Sequence, residues 1–345
     1  MMHAQSQNDD TLWVVEGWRG LAVWLVVYAH YWSGIEGAWG WTRFAFTGVD
    51  LFFVLSGFVF APYFFGKKLA TSAFWMRRFS RIYPAFFLAL LLYMGMKLAE
   101  GGTLLYVWQH LTFTYLQSPE MAFYYNPVFW SLPSEVTFYI VLPMLAWACW
   151  GRPWAVLALL ALGLAMRVGL GYASDRSSAN LAFVTMHHLP GVFVEFVFGV
   201  IAWRLGPLLR DAFARMVLAL AGLALWFTLA WWFGQVGDVG IDATWARGQL
   251  SWLAAVSFAA LVAAGSGHWL QAPEVMQHIA LWMGRLSYGV YLFHIAALQW
   301  SQYLWQGRGA LVITGFAALV TLALAWCCYR WWEDPWRRWG RRHTR

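Results

Sequence analysis

Trp13-Val14-Val15-Glu16-Gly17-Trp18-Arg19-Gly20-Leu21-Ala22-Val23-Trp24-Leu25-Val26-Val27-Tyr28-Ala29-His30-Tyr31-Trp32 decides the fold class. Apart from Glu16, Arg19 and His30 the segment is apolar, aromatic or glycine. At 1.5 Å rise per residue, a helix of about 20 such residues crosses a hydrocarbon core of about 30 Å. Arg19 and His30 stand eleven positions apart. On a helix that leaves them about 20° apart in azimuth and about 16 Å apart along the axis, on one face at two depths. An arginine inside a spanning segment costs about 2.5 to 3.5 kcal/mol on insertion scales, so one retained there is read as functional.

The remainder of the chain repeats this composition. Hydrophobic residues make up 61% and charged residues 11%, against about 25% charged in soluble domains. Apolar stretches predict spans over 13 to 33, 46 to 65, 80 to 98, 129 to 149, 154 to 172, 186 to 205, 214 to 233, 250 to 268, 284 to 304 and 309 to 330. The expected architecture is all-α, a polytopic membrane protein of about ten transmembrane helices. With the N-terminus inside, 17 Lys and Arg fall in cytoplasmic segments and six outside, namely Arg43, Lys97, Arg167, Arg176, Arg247 and Arg308. The positive-inside rule then predicts that both termini are cytoplasmic. Topology and anionic lipid account for the net charge of +7, which is no argument for nucleic acid.

Three regions are expected: a short polar tail over 1–12, an integral membrane domain over 13–336 and a basic cytoplasmic tail over 337–345. The tail carries Asp9 and Asp10 without a basic stretch, so the first span is expected to remain as a helix and not to be cleaved as a signal peptide. Cys149, Cys327 and Cys328 have neither disulfide-framework nor zinc spacing. In the long connection 99–128, Leu104 to Leu116 is apolar enough to predict a helix lying at the surface or dipping in. Most of the 27 Trp and the Phe stripes read as interfacial belts and packing volume.

Beyond the first span, four further clusters stand out. They are Gly48-Val49-Asp50-Leu51-Phe52-Phe53-Val54-Leu55-Ser56-Gly57-Phe58, Trp75-Met76-Arg77-Arg78-Phe79-Ser80-Arg81-Ile82-Tyr83-Pro84, Trp130-Ser131-Leu132-Pro133-Ser134-Glu135-Val136-Thr137-Phe138-Tyr139, and Leu286-Ser287-Tyr288-Gly289-Val290-Tyr291-Leu292-Phe293-His294. With Glu333-Asp334-Pro335 after the last span, they resemble, in order and over about residues 13 to 336, the acyltransferase-3 family of integral membrane acyltransferases. The resemblance implies transfer of an acyl group, often acetyl, from a coenzyme A thioester to a hydroxyl of a sugar or other envelope molecule at the bacterial inner membrane. Its Arg, ten residues, His pattern falls on Arg19 and His30, and its Arg, two residues, Arg element on Arg78 and Arg81. The Trp130–Tyr139 cluster departs in having Pro133 and Ser134 before a single carboxylate, Glu135.

Elementary geometry adds to this. His30 lies about one turn inside the exit of the first span and Asp50 about one turn inside the start of the second, so the two are expected at one depth. A carboxylate beside an imidazole would fix its tautomer and stabilise the imidazolium of a general base. The expected catalytic set is His30, Asp50, Arg19 and Glu135. Arg78 and Arg81, three apart at the mouth of the third span, should project from one face and, with Arg19, hold the phosphates of acyl-CoA. Ser287, Tyr288 and His294 are expected on the acceptor, a carbohydrate or lipid-linked saccharide, while Glu195, His187 and His188 carry weaker expectations. No metal is expected. Ser56 lacks a strand-to-helix elbow, which argues against a serine hydrolase. A proton-coupled transporter or lipid-linked sugar flippase, with His30, Asp50 and Glu135 as a relay, is the main alternative. A non-catalytic membrane subunit is the third reading, against which the shared face of Arg19 and His30 counts.

Overall fold

The computed structural model of the protein describes residues 2–32, 40–174, 177–236, 244–266 and 272–344. Among these the chain is helical with no strand. In order the elements are α1 (Met2–Trp32), a 3₁₀ stretch (Gly40–Thr47), α2 (Gly48–Phe64), α3 (Thr71–Ala99), α4 (Val107–Leu111), α5 (Pro119–Ala122), α6 (Ser131–Cys149), α7 (Pro153–Ser174), α8 (Ala179–His187), α9 (Leu189–Leu205), α10 (Ala212–Val236), α11 (Thr244–Gly265), α12 (Glu274–Leu304), α13 (Ala310–Cys328), a π stretch (Tyr329–Glu333) and α14 (Asp334–Arg342). Among the described residues seven helical segments are long and apolar enough to cross a membrane, and the protein is a multi-pass membrane protein. The other three expected spans fall on α1, α11 and α12. In α1 and α12 charged groups such as Glu16, Arg19 and Arg285 interrupt the apolar run, while the apolar part of α11, Gln249–Gly265, is short.

Two apolar cores hold the bundle. One is built around Phe53, Phe60, Phe86, Phe129, Phe138 and Phe196. The other centres on Phe44, Leu51, Leu55, Phe258 and Val262, where α2 meets α11 and the 3₁₀ stretch. The tightest crossing joins α2 and α9. A Cβ at Gly57 would stand 1.9 Å from the Phe196 carbonyl oxygen, and one at Gly199 would stand 1.9 Å from that of Val54. Small residues let two backbones touch in this way, which drives helix association where lipid offers no hydrophobic contrast.

Several expectations change. The segment 104–116 is not a continuous surface helix: only Val107–Leu111 is helical. Tyr106 and Phe113, with φ of 57° and 56°, bound that turn in the left-handed region, while His110, Tyr115 and Leu116 are buried. Helix α3 begins at Thr71, ahead of the expected start of the third span, so Arg77, Arg78 and Arg81 lie within a helix. Arg167, counted above with the outer connections, is fully buried inside α7. The basic residues after 336 continue helix α14, which packs on α3 at Gly340 and Ser80. Arg176, Arg345 and the ends of the first and eighth expected spans lie outside the described residues.

Candidate active site

Five helices, α1, α2, α3, α6 and α12, enclose a polar cavity of about 60 Å³. Its lining brings together Arg19, Arg81, Glu135, Ser287 and Tyr288 from the expected site, and adds Ser56, Ser131, Tyr139 and Tyr291. Arg19 is held by Glu16, one turn earlier on α1, at 3.1 Å, with both side chains 12% exposed. Glu16 in turn lies against Gly284, where a Cβ would stand 2.2 Å from its Oε2, so α12 approaches α1 at this ion pair. Arg81 faces Glu16, Glu135, Glu333 and Tyr139. Glu135 accepts hydrogen bonds from Ser56 Oγ at 3.2 Å and from the Tyr139 hydroxyl. Ser287 is tied to the Gly284 carbonyl at 2.8 Å, and the Tyr288 hydroxyl donates to the Ile82 carbonyl at 3.0 Å.

Arg78 does not join this cavity. Its guanidinium sits 5.2 Å from the Phe60 ring, 5.9 Å from Phe74 and 5.8 Å from Tyr139, an aromatic cage suited to cation–π contact. It lines a separate apolar slot between α3 and α6. Three positions along a helix place side chains about 60° apart, enough here to send Arg81 toward α1 and α12 and Arg78 toward α6.

His30 lines a second cavity of about 450 Å³, walled by Phe46, Phe123, Trp130, Phe183, Phe233 and Tyr291, with Asn180 and His187 among its polar groups. Val49 and Tyr291 line both cavities. Tyr291 is fixed there: Ser131 shares a hydrogen bond with its hydroxyl at 2.7 Å, and the hydroxyl donates to the Val128 carbonyl at 2.5 Å. The imidazole of His30 has Nδ1 2.8 Å from the Val26 carbonyl oxygen and 3.4 Å from His294 Nε2. A carbonyl accepts only, so Nδ1 carries the hydrogen and Nε2 the lone pair of the neutral ring. His294 therefore belongs to His30, not to the lining of either cavity.

Asp50 is not the carboxylate beside His30. It is 2% exposed and meets Glu195 of α9, with Arg167 of α7 alongside. Arg167 also donates to the Met186 carbonyl at 2.8 Å and the Gly191 carbonyl at 3.2 Å, binding the break between α8 and α9. That break forms because Pro190, in the first turn of α9, has no N–H to continue a preceding helix. Depth alone put Asp50 near His30; azimuth separates them. Asp50 and Gly57, seven apart, share a face of α2 within about 20°, and Gly57 fixes that face on α9. Sequence reading missed the Asp50, Glu195 and Arg167 cluster although its signal was present, since lone opposite charges in separate spans must find one another. Tyr139 was equally legible, one turn beyond Glu135.

Among the described residues no group of three or more His, Cys, Asp or Glu is placed to hold a metal ion. A family model described as "Acyltransferase domain" matches residues 13–330. The chain is similar to Nodulation protein 10 of Rhizobium leguminosarum bv. viciae, 26% identical with 87% of each chain covered. It is also similar to O-acetyltransferase OatA of Staphylococcus aureus, 25% identical over 87% of this chain and 54% of the relative, so it spans about half the length of that protein. No solved structure matches the chain. Since the family match runs through nearly every helix that builds the two cavities, the chain belongs to the acyltransferase-3 family of integral membrane acyltransferases.

Proposed function

We propose that the protein is a membrane-bound O-acyltransferase of the bacterial inner membrane, moving an acyl group, acetyl in the first instance, from acyl-CoA to a hydroxyl of a carbohydrate or lipid-linked saccharide. The observation that carries this reading is the pair of cavities with a common wall at Val49 and Tyr291. The cavity lined by Arg19 and Arg81 takes the donor from the cytoplasmic side, guanidinium forks being suited to the phosphates of coenzyme A. The cavity lined by His30 takes the acceptor, whose pyranose face stacks on aromatic walls. His30 Nε2 removes the hydroxyl proton as the oxygen attacks the thioester carbonyl; the C–S bond breaks and the proton passes to the departing thiolate. Glu135 accepts from Tyr139 and Ser56 and so orders both around the thioester.

As it stands, the donor cavity has room for about two waters. Access of a pantetheine arm therefore requires side chains of its wall to move. The relay reading of a transporter or flippase lacks comparable support. His30 bonds His294, Asp50 meets Glu195, and Glu135 is held by Ser56 and Tyr139, three separate networks where a relay needs one. The test is thiol release from acetyl-CoA by purified protein with a saccharide acceptor, followed by mass spectrometry of the product. Release that depends on both acceptor and His30 is expected, with His30→Ala slower by about 10² to 10⁴. Near-normal turnover of a folded His30→Ala protein contradicts the proposed base.

A further inference from the structure

We propose that His294 is a positioning residue for the base, holding His30 in the tautomer and orientation that leave Nε2 ready for the acceptor proton. This rests on the reading of His30 as the base. His294 is fully buried in α12. Its Nδ1 lies 3.1 Å from the Val290 carbonyl oxygen and 2.9 Å from that of Tyr291, so that nitrogen carries hydrogen and Nε2 is left as an acceptor. This acceptor faces His30 Nδ1 at 3.4 Å, with ring centroids 5.1 Å apart and planes tilted by 56°. The His30 Nδ1–H is thus shared between Val26 of its own helix and His294 of a neighbouring one. The intrahelical bond turns with α1; the bond to His294 fixes the ring against α12.

The surroundings of His294 are unusually well tied for a buried helix segment. The Tyr31 hydroxyl donates to the His294 carbonyl at 3.0 Å and lies 2.7 Å from Thr321 Oγ1, joining α1, α12 and α13 beside the pair. The Tyr93 hydroxyl of α3 donates to the Leu292 carbonyl at 3.1 Å and accepts from the Ala296 N–H at 3.0 Å, lying across the helical rung that flanks His294. Asn126 Nδ2 donates to the same Leu292 carbonyl at 3.3 Å. Side chains from α1, α3 and the connection before α6 therefore bond the α12 backbone within two residues of His294, whose Nε2 faces one other imidazole. Packing alone needs no such arrangement, because an apolar side chain would fill the space without a buried polar atom to satisfy. The titratable groups facing the pair are Tyr31 on α1, Tyr93 on α3, Tyr291 on α12 and, across the acceptor cavity, His187 on α8.

His294→Gln and His294→Asn separate the role from bulk. Both are amides, but only the Gln carbonyl reaches the place of Nε2 and accepts the His30 hydrogen. Asn is expected to lower kcat about 10- to 100-fold, the scale of loss seen when the partner orienting a metal-ligating histidine is removed, with KM for acetyl-CoA and acceptor unchanged. The acid limb of its pH–rate profile should move to lower pH, since a bond that strengthens in the imidazolium has been lost. Gln should recover most of the rate. Nitrogen-15 spectra of the wild-type imidazoles give a readout that needs no variant, with hydrogen expected on His30 Nδ1 and His294 Nδ1. Asn as active as wild type, Gln as inactive as Asn in folded protein, or hydrogen on His294 Nε2 overturns the proposal. His30→Ala run beside them distinguishes the failures. If it turns over normally the base reading falls; if it is dead while His294→Asn is normal, only the pairing falls.

Discussion

Arg78 and Arg81 differ in surroundings more than their spacing suggests, and the difference has a measurable consequence. Arg81 lines the polar cavity, whereas Arg78 is spent on three aromatic rings. Replacing Arg81 by Ala should weaken acetyl-CoA binding by about 1.5 to 3 kcal/mol, the scale of a hydrogen bond to a charged group. Arg78→Ala should leave that affinity close to wild type and lower thermal stability in detergent instead. Titration of both variants with a non-hydrolysable acetyl-CoA analogue, beside a melting curve, checks the split; equal losses of affinity would return both arginines to the donor. Five expected site residues, Arg19, Arg81, Glu135, Ser287 and Tyr288, do converge on one cavity. Motif order made these legible. The partners of His30 and Asp50 were not, because a sequence gives height along a span but not which neighbour each face will meet.

At the scale of elements, the α2 and α9 crossing decides that choice of neighbour. Gly57 and Gly199 bring the backbones into contact, and Asp50 and Glu195 follow on the same faces. A Leu at Gly199 has to displace the Val54 carbonyl, and overpacking of this kind costs about 1 to 3 kcal/mol or more. Gly199→Leu should therefore lower the melting temperature in detergent, and Gly199→Ala should do so less; an unchanged melting curve for Leu would mean the crossing is looser than the structure has it. The connection between α3 and α6 makes a second prediction. His110 stacks on Tyr115 with centroids 4.1 Å apart and meets the edge of Tyr125, and this burial, against the bond to the Tyr106 carbonyl, pushes its imidazole down to about 4. The ring is neutral when packed and must charge as the pH falls. Its contribution is complete above about 6.5, the unfolded value, and is lost progressively toward about 4. Protection of the amides of residues 104–118, taken relative to their intrinsic exchange rates, should fall in the wild type as the pH drops below about 6.5 toward about 4, and a His110→Phe protein should lose that pH dependence. The left-handed turns at Tyr106 and Phe113 explain why this segment escaped sequence reading: apolar composition resembles an interfacial helix, but only backbone conformation tells that it folds inward.

Across the whole molecule, helix existence was the most legible feature, since among the described residues every expected span falls on helix. Composition alone forces that result in lipid, where only helices or closed barrels satisfy backbone hydrogen bonds within themselves. Pairings between helices were less legible because they depend on single small residues and on buried charges finding partners. The two cavities are a property of the assembled bundle. No single span contains either, although Arg19 and His30 on α1 mark one end of each. The central claim is that donor and acceptor approach from opposite faces and meet at the wall formed by Val49 and Tyr291. It is tested most directly in proteoliposomes of known protein orientation, with acetyl-CoA confined to one side and saccharide acceptor to the other. Acetylated acceptor should form only when acetyl-CoA is on the face of the Arg19 cavity, and should vanish with His30→Ala. Product of equal yield from either side, or product that survives His30→Ala in a folded, inserted protein, contradicts it.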